Sequence, residues 1–231
     1  MVGDFRASLY DLFGYLLPGL VMTAGLGVIW WTAFGDSPVM SIDFFATGIG
    51  SVSCLLLAYL VGHVAHAVGN SLSFLRTKPE DEVLVGGHQW SLPSSVLAAI
   101  DRSLTVRFSV DVKDLTPRMK YSLMDEGRAL LQREGDREVY VYREGFYRGM
   151  VVALAVVGVA AVVRGLTPRS CFSYGTAITC VTRAQAVILL LIIVAFAVAY
   201  YQRMVRFSRY RIERAALLWL NVFSSQSAAT K

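Results

Sequence analysis

The sequence predicts an all-α integral membrane protein with four transmembrane helices and a small, mostly helical cytoplasmic domain between helices 2 and 3. Three observations indicate this fold class. The chain is 55% hydrophobic and 17% charged, with a mean hydropathy of +0.51, which is too apolar for an ordinary soluble domain. The chain divides into four apolar runs and one charged block. The charged residues are concentrated in one block between the second and third runs.

The first two runs predict transmembrane helices over residues 12–34 and 44–68, within a membrane segment of residues 1–70. The first run has no charge for 23 residues and ends near Trp30 and Trp31, which suit a membrane interface. The second run, from Phe44 to Asn70, has no charge for 27 residues. About 20 helical residues cross the ~30 Å hydrocarbon layer, so both runs are long enough to span it.

The last two runs predict helices over residues 149–164 and 184–201, within a segment of residues 149–201. The third run is short, with 15 uncharged residues from Gly149 to Val163, so Arg148 and Arg164 are expected to extend toward the headgroups. An Arg-rich cytoplasmic amphipathic helix is expected over residues 202–223, and residues 224–231 are expected to be disordered.

This Arg-rich helix has two faces. Ile212, Ala216, Trp219 and Phe223 share the apolar face by their spacing. Its arginines are predicted to bind lipid headgroups: Arg203, Arg206, Arg209, Arg211 and Arg214. The helix either continues the fourth span or lies along the membrane surface.

Residues 71–148 are predicted to form the cytoplasmic domain, because they contain 12 of the 22 Lys and Arg residues. Both termini then also lie in the cytoplasm, in a protein of the bacterial inner membrane. A helix start is expected at Ser91–Ser94, and a second helix from Thr116 to about Glu134. Residues 106–112 alternate in polarity, as a short strand or an extended linker does. A domain this small has little core of its own and is expected to pack on copies or on a partner.

Four polar side chains form a stripe on the second predicted span: Tyr59, His63, His66 and Asn70. With Tyr59 as zero and 100° per residue, the other three lie at about +40°, −20° and +20°. Lipid offers no hydrogen-bond partner, so the stripe should face protein or water. Pore lining, a proton relay and packed interhelical hydrogen bonds are all compatible with it. A metal site is disfavoured, because no Cys, carboxylate or third His lies at matching depth.

Cys171 and Cys180 flank a Tyr174–Gly175 turn in the loop that should face the oxidising side. They are predicted to form a disulfide, while Cys54, inside the second span, should stay unpaired. Two free thiols remain the alternative for the loop pair.

The sequence contains no nucleophile elbow, phosphate-binding loop or dinucleotide fingerprint. We therefore expect no catalytic residues, no cofactor and no metal. The charge excess follows the last apolar run, which favours anionic lipid over direct binding to duplex nucleic acid.

Two phrases, YDLFGYLLPG (Tyr10–Gly19) and AYLVGHVAH (Ala58–His66), resemble small prokaryotic four-span membrane effectors that are encoded among anti-phage defence genes. The resemblance covers the first two spans. It implies a homo-oligomer that conducts ions or disrupts the membrane when a cytoplasmic signal, often a nucleotide product, releases it.

Three functions are compatible with the sequence. The first is a homo-oligomeric channel or membrane-disrupting effector in antiviral defence, gated by a cytoplasmic protein or nucleotide-type signal. The second is a non-conducting scaffold or adaptor that docks a cytoplasmic partner. The third is a lipid-acting enzyme, which lacks the carboxylate that histidine acid–base chemistry needs.

Overall fold

The structure is a computed structural model that describes residues 2–34, 47–72, 75, 78–129, 135–167, 171–174, 177–180 and 182–229. Seven helices lie in this part of the chain: α1 (Val2–Phe34), α2 (Gly48–Ser71), α3 (Pro79–Leu84), α4 (Ser94–Phe108), α5 (Pro117–Ala129), α6 (Gly135–Leu166) and α7 (Arg183–Ala229). A 3-10 turn covers Val112–Asp114. Two strands, β1 (Cys171–Tyr174) and β2 (Ala177–Cys180), pair as an antiparallel hairpin.

Four of these helices are long and apolar enough to cross a membrane, which confirms the helical fold class and the number of candidate spans. Their apolar segments are Leu12–Ala33, Gly48–Ser71, Arg143–Leu166 and Arg183–Phe223. The hairpin between α6 and α7 is an exception to the all-α prediction.

The helix ends follow local capping chemistry. The Thr47 hydroxyl accepts a hydrogen bond from the Gly50 amide at 3.0 Å, and Thr116 caps α5 through the Met119 amide at 3.3 Å. At α7, Thr182 and Gln185 form a reciprocal capping box: the Gln185 amide donates to the Thr182 hydroxyl, and the Thr182 amide donates to the Gln185 side chain.

Two local predictions need correction, and a third falls partly outside the described residues. Residues 106–108 are the last turn of α4 and not a strand or linker; Ser109, in the left-handed conformation at φ 53°, ends that helix. The described part of α5 ends at Ala129, and residues 130–134 lie outside the described residues. The expected disordered tail is also wrong for residues 224–229, because α7 continues without a break to Ala229.

The chain divides into two compact units. Unit 1 consists of Met1–Leu75 with Gly145–Met204, and unit 2 consists of Arg76–Glu144 with Val205–Lys231. Both α6 and α7 contribute residues to each unit. The C-terminal helical residues thus belong with the charged block, and not to a separate segment of their own.

Unit 2 has a substantial apolar core, which the sequence did not predict. Helix α4 contributes Ile100 and Leu104, α5 contributes Met124, and the end of α7 contributes Ile212 and Trp219, all buried. The apolar face of the C-terminal helix therefore covers the charged block, and not lipid, and the block has a core without another copy or a partner.

A buried polar link accompanies this core. The Trp219 indole N–H donates to the Ser103 hydroxyl at 2.6 Å, and that hydroxyl donates to the Ile100 carbonyl at 2.7 Å. The Phe108 ring stacks on the Trp219 ring at 5.8 Å between centroids. Because an indole N–H is a strict donor, this chain fixes how the end of α7 sits on α4.

Candidate functional site

The polar stripe of α2 lies beside a very close contact between α1 and α2, which we call the α1–α2 seam. The seam is made by Tyr15, Gly19, Ala58 and Gly62. A Cβ atom placed on Gly19 would lie 1.7 Å from the Ala58 carbonyl oxygen, and one on Gly62 would lie 1.9 Å from the Tyr15 carbonyl oxygen. Only glycine fits at either position, because the obstacle is backbone. Small residues allow this approach, as is common between membrane helices.

The seam brings the ring of Tyr15 into the stripe. Tyr15 stacks on His63 with 3.8 Å between centroids and an interplanar angle of 18°, and it lies tilted over His66 at 4.5 Å. Tyr59 meets Tyr15 and His63 edge-on, at 6.0 and 4.7 Å. Three residues of the stripe thus belong to one aromatic cluster with a residue of α1.

His66 also satisfies a backbone group that the sequence leaves without its helical partner. Pro18 has no N–H, so the carbonyl of Gly14, four residues earlier, loses its helical hydrogen bond. The Nε2 atom of His66 lies 3.2 Å from that carbonyl oxygen. A carbonyl can only accept, so Nε2 must carry the proton in this contact. His66 therefore bridges α2 to the point where Pro18 interrupts α1.

Glycines of α6 make room for the His66 ring on its other side. A Cβ on Gly145 or on Gly149 would approach the imidazole to 2.9 Å. Both positions lie one turn apart on the same face of α6, so His66 fits a notch in that helix.

The last residue of the stripe pairs with a cation of α6. The Arg148 guanidinium donates a hydrogen bond to the Asn70 side-chain oxygen, and its stem passes Gly69. Arg148, which the sequence predicted to extend toward the headgroups, is thus tied to the end of α2 as well.

The four stripe residues do not have the same environment. Tyr59 and His66 are partly buried, while His63 and Asn70 are exposed on the single chain. The contacts described for the His63 ring are aromatic. Hydrogen bonding within the chain therefore accounts for His66 and Asn70, and His63 is the polar ring left facing outward.

The chemistry open to this cluster is limited. In the described part of the chain, no group of three or more His, Cys, Asp and Glu residues is placed to hold a metal ion. The contacts described for the two imidazoles include tyrosine rings, a carbonyl and glycines. Contacts of this kind position helices and present a polar ring, whereas acid–base catalysis by histidine calls for a supporting carboxylate.

The five arginines predicted to bind lipid headgroups fall into two groups, those in ion pairs and those that are exposed. Two of them form ion pairs within unit 2. Arg209 pairs with Glu82 at 2.5 Å and lies over the Trp90 ring at 4.7 Å. Arg211 pairs with the buried carboxylate of Glu144 at 3.2 Å. Arg203, Arg206 and Arg214 are exposed, so the headgroup prediction now concerns these three.

The hairpin places Cys171 and Cys180 directly opposite each other in the strand register. Directly opposed residues of antiparallel strands have Cα atoms about 4.5–5.5 Å apart, which lies within the range that a disulfide requires. The bridge between them stays a prediction. Cys54 is a free cysteine, in α2.

Three residues of the candidate site were not predicted from the sequence: Tyr15, Gly14 and Arg148. Gly14 had a readable signal, because a proline inside a helix always releases the carbonyl four residues before it. Tyr15 and Arg148 had none, since their roles depend on which helices become neighbours.

The four long apolar helices support assigning the chain to the membrane proteins. Comparison with known proteins narrows this class no further: no family model matches the chain, and no curated protein or solved structure matches it.

Proposed function

We propose that the chain is the subunit of a homo-oligomeric membrane channel or membrane-disrupting effector of the bacterial inner membrane. Unit 2 would lie in the cytoplasm, receive a protein or nucleotide-type signal, and control the passage of ions. The resemblance of the first two spans to anti-phage effectors suggests a role in antiviral defence.

The observation that carries this proposal is the exposed ring of His63. It lies eight residues before the end of α2 at Ser71, or about 12 Å along the helix. On a helix of this apolarity that depth falls within the hydrocarbon layer, where a polar ring has no lipid partner. A second copy or a water-filled space would supply the missing environment, and copies of α2 around an axis would supply both.

The proposed orientation of the chain in the membrane is inferred from the distribution of its Lys and Arg residues. Residues 71–148 contain 12 of the 22 Lys and Arg residues, so the positive-inside rule favours a cytoplasmic unit 2. Unit 2 shares α6 and α7 with unit 1, so each helix offers a continuous route by which a change in unit 2 reaches a span.

A non-conducting scaffold or adaptor is the second candidate. It is favoured by His66 and Asn70, whose hydrogen bonds are made within one chain, as expected of packing groups. On this view the stripe fixes α1, α2 and α6 together, and unit 2 docks a partner.

Solvent access to position 63 tests the proposal without knowledge of the gating signal. In a chain whose three cysteines are replaced by serine, His63→Cys in liposomes should react with a membrane-impermeant thiol reagent. Val64→Cys is the matched control: it lies next to His63 at nearly the same depth, 100° further around the helix, is 53% exposed, and should face lipid. Equal protection of both cysteines, together with an intact oligomer by native mass spectrometry, would contradict a water-lined α2.

Ion flux provides the second measurement. We expect liposomes containing the full chain to release trapped potassium. His63→Ala should change the rate of release, whereas His88→Ala, in unit 2, should leave it unchanged. Absence of flux in combination with protection of position 63 favours the scaffold.

A further inference from the structure

Unit 1 contains an apolar cavity between α6 and α7, which we call the α6–α7 groove. Its volume is about 580 Å³, a size typical of small-molecule sites. Helix α6 lines it with residues such as Ala155 and Val159, and α7 with Leu190, Ile193, Ala197 and Tyr201.

The groove exists because α6 and α7 approach each other less closely than α1 and α2. A Cβ on Gly158 would meet the nearest atoms, in the side chains of Leu190 and Ile193, at 3.7 Å, which is ordinary contact. Near the end of α6 the helices are closer, since a Cβ on Gly165 would lie 3.0 Å from the Ala186 Cβ.

The closer end of the groove leads to a positive charge. A second cavity, of about 370 Å³, shares Val162 and Leu190 with the groove and is also lined by Arg183. Arg183 is exposed at the first turn of α7. The combined site is therefore an apolar trough that ends beside a guanidinium, which is a strong partner for phosphate oxygens.

The trough is long enough to hold one acyl chain of a lipid. From Ala186 to Tyr201 the α7 helix rises by about 22 Å, against about 15 Å for the hydrocarbon of one leaflet. One acyl chain can thus lie along the groove while its headgroup reaches Arg183.

The lining of α7 argues against a helix of a second copy as the occupant. Contacts between membrane helices favour Gly, Ala and Ser, which let backbones approach. The α1–α2 seam follows that rule, whereas α7 presents Leu190, Ile193 and Val194 to the groove. Branched side chains of this size suit a flexible acyl chain better than another backbone.

We propose that the α6–α7 groove binds an anionic phospholipid, with one acyl chain in the trough and the phosphate on Arg183. This site does not depend on conduction, so a scaffold would have it equally.

Native mass spectrometry of the full chain in detergent tests this site, with phosphatidylglycerol and phosphatidylcholine as the added lipids. We expect a retained lipid adduct that favours phosphatidylglycerol. Arg183→Gln should lower that preference about fivefold, the equivalent of the ~1 kcal/mol that one Arg contributes at an anionic surface. Arg102→Gln, at an exposed position of α4 in unit 2, is the control and should keep the preference.

A matched pair of alanines tests the trough itself. Ala197→Phe fills the groove and should abolish the retained adduct for both lipids. Ala195→Phe adds the same bulk two residues earlier, at an exposed position outside the groove lining, and should retain the adduct.

Three outcomes would overturn the proposal. The first is equal adduct retention in Ala197→Phe and Ala195→Phe. The second is loss of the oligomer in Ala197→Phe with lipid retention unchanged, which would assign the groove to a second copy. The third, which holds even if Ala197→Phe fails to fold, is equal affinity of the unaltered chain for the two lipids.

Discussion

The α1–α2 seam and the α6–α7 groove are built from similarly apolar helices, yet the seam is a close contact and the groove is a cavity. In the seam, glycines let two backbones touch, and the half-buried His66 ring bonds the Gly14 carbonyl, while the His63 ring stays exposed. In the groove, glycine and alanine on one helix face branched side chains on the other, and space remains.

The difference shows that small residues alone do not predict helix contact in a membrane protein. Gly158 and Gly62 both lie inside candidate spans, but only Gly62 meets backbone. What distinguishes them is the facing helix. In α1, Gly19 lets the backbones approach and Pro18 frees the Gly14 carbonyl for a hydrogen bond with His66, whereas α7 presents Leu190 and Ile193 to Gly158. Complementary chemistry on both helices closes a contact, and its absence on one leaves a trough.

The largest expected effect is the loss of stability when Gly62 of the seam is replaced. Gly62→Ala should lower the free energy of unfolding by about 3 kcal/mol, at the upper end of overpacking effects, because its Cβ collides with the backbone of Tyr15. Gly158→Ala, the matched control in the groove, gains the same helix propensity and meets only ordinary contacts, so its stability should stay equal or rise. Unfolding in mixed micelles measures both. Similar losses in the two variants would remove the distinction between seam and groove.

The second effect concerns the hairpin that joins the two groove helices. A Cys171–Cys180 bridge closes a ten-residue loop and should stabilise the chain by about 2–3 kcal/mol, since it restricts the unfolded state. Mass spectrometry after alkylation without reduction should find Cys54 modified and the hairpin pair protected. Alkylation of all three thiols would show that strand pairing alone holds the hairpin.

The smallest effect is the hydrogen bond between His66 and Gly14. His66→Ala should cost about 0.6–2 kcal/mol, the range for interhelical hydrogen bonds in membranes. In a Pro18→Ala background the cost should shrink, because the alanine would supply the backbone N–H that the Gly14 carbonyl lacks. The same cycle with His63→Ala serves as control and should show no coupling. Additive losses for His66 would mean that its contact with Gly14 contributes nothing.

Features set by neighbouring residues were predictable from the sequence. The Thr116–Pro117 helix start and the shared face of Tyr59, His63, His66 and Asn70 depend only on capping and on the helical period. The four apolar helices followed from length and charge alone.

Features that depend on distant pairing were not predictable. The apolar face of Ile212 and Trp219 suited a membrane surface and a protein core equally, and only the fold placed it on Ile100 and Leu104. The same pairing turned Arg209 and Arg211 into partners of Glu82 and Glu144, which a count of charges along the chain does not reveal.

The position of Trp219 in the core of unit 2 also has a consequence for biogenesis. Met124, another core residue, is synthesised 95 residues before Trp219, which is about 5–19 s at ordinary translation rates. For most of that interval α4 and α5 lack the surface of α7 that covers them, while the third and fourth candidate spans are still being made. We expect the nascent block to require a chaperone during this delay. The core of unit 2 would then close only after α7 has been synthesised as far as Trp219.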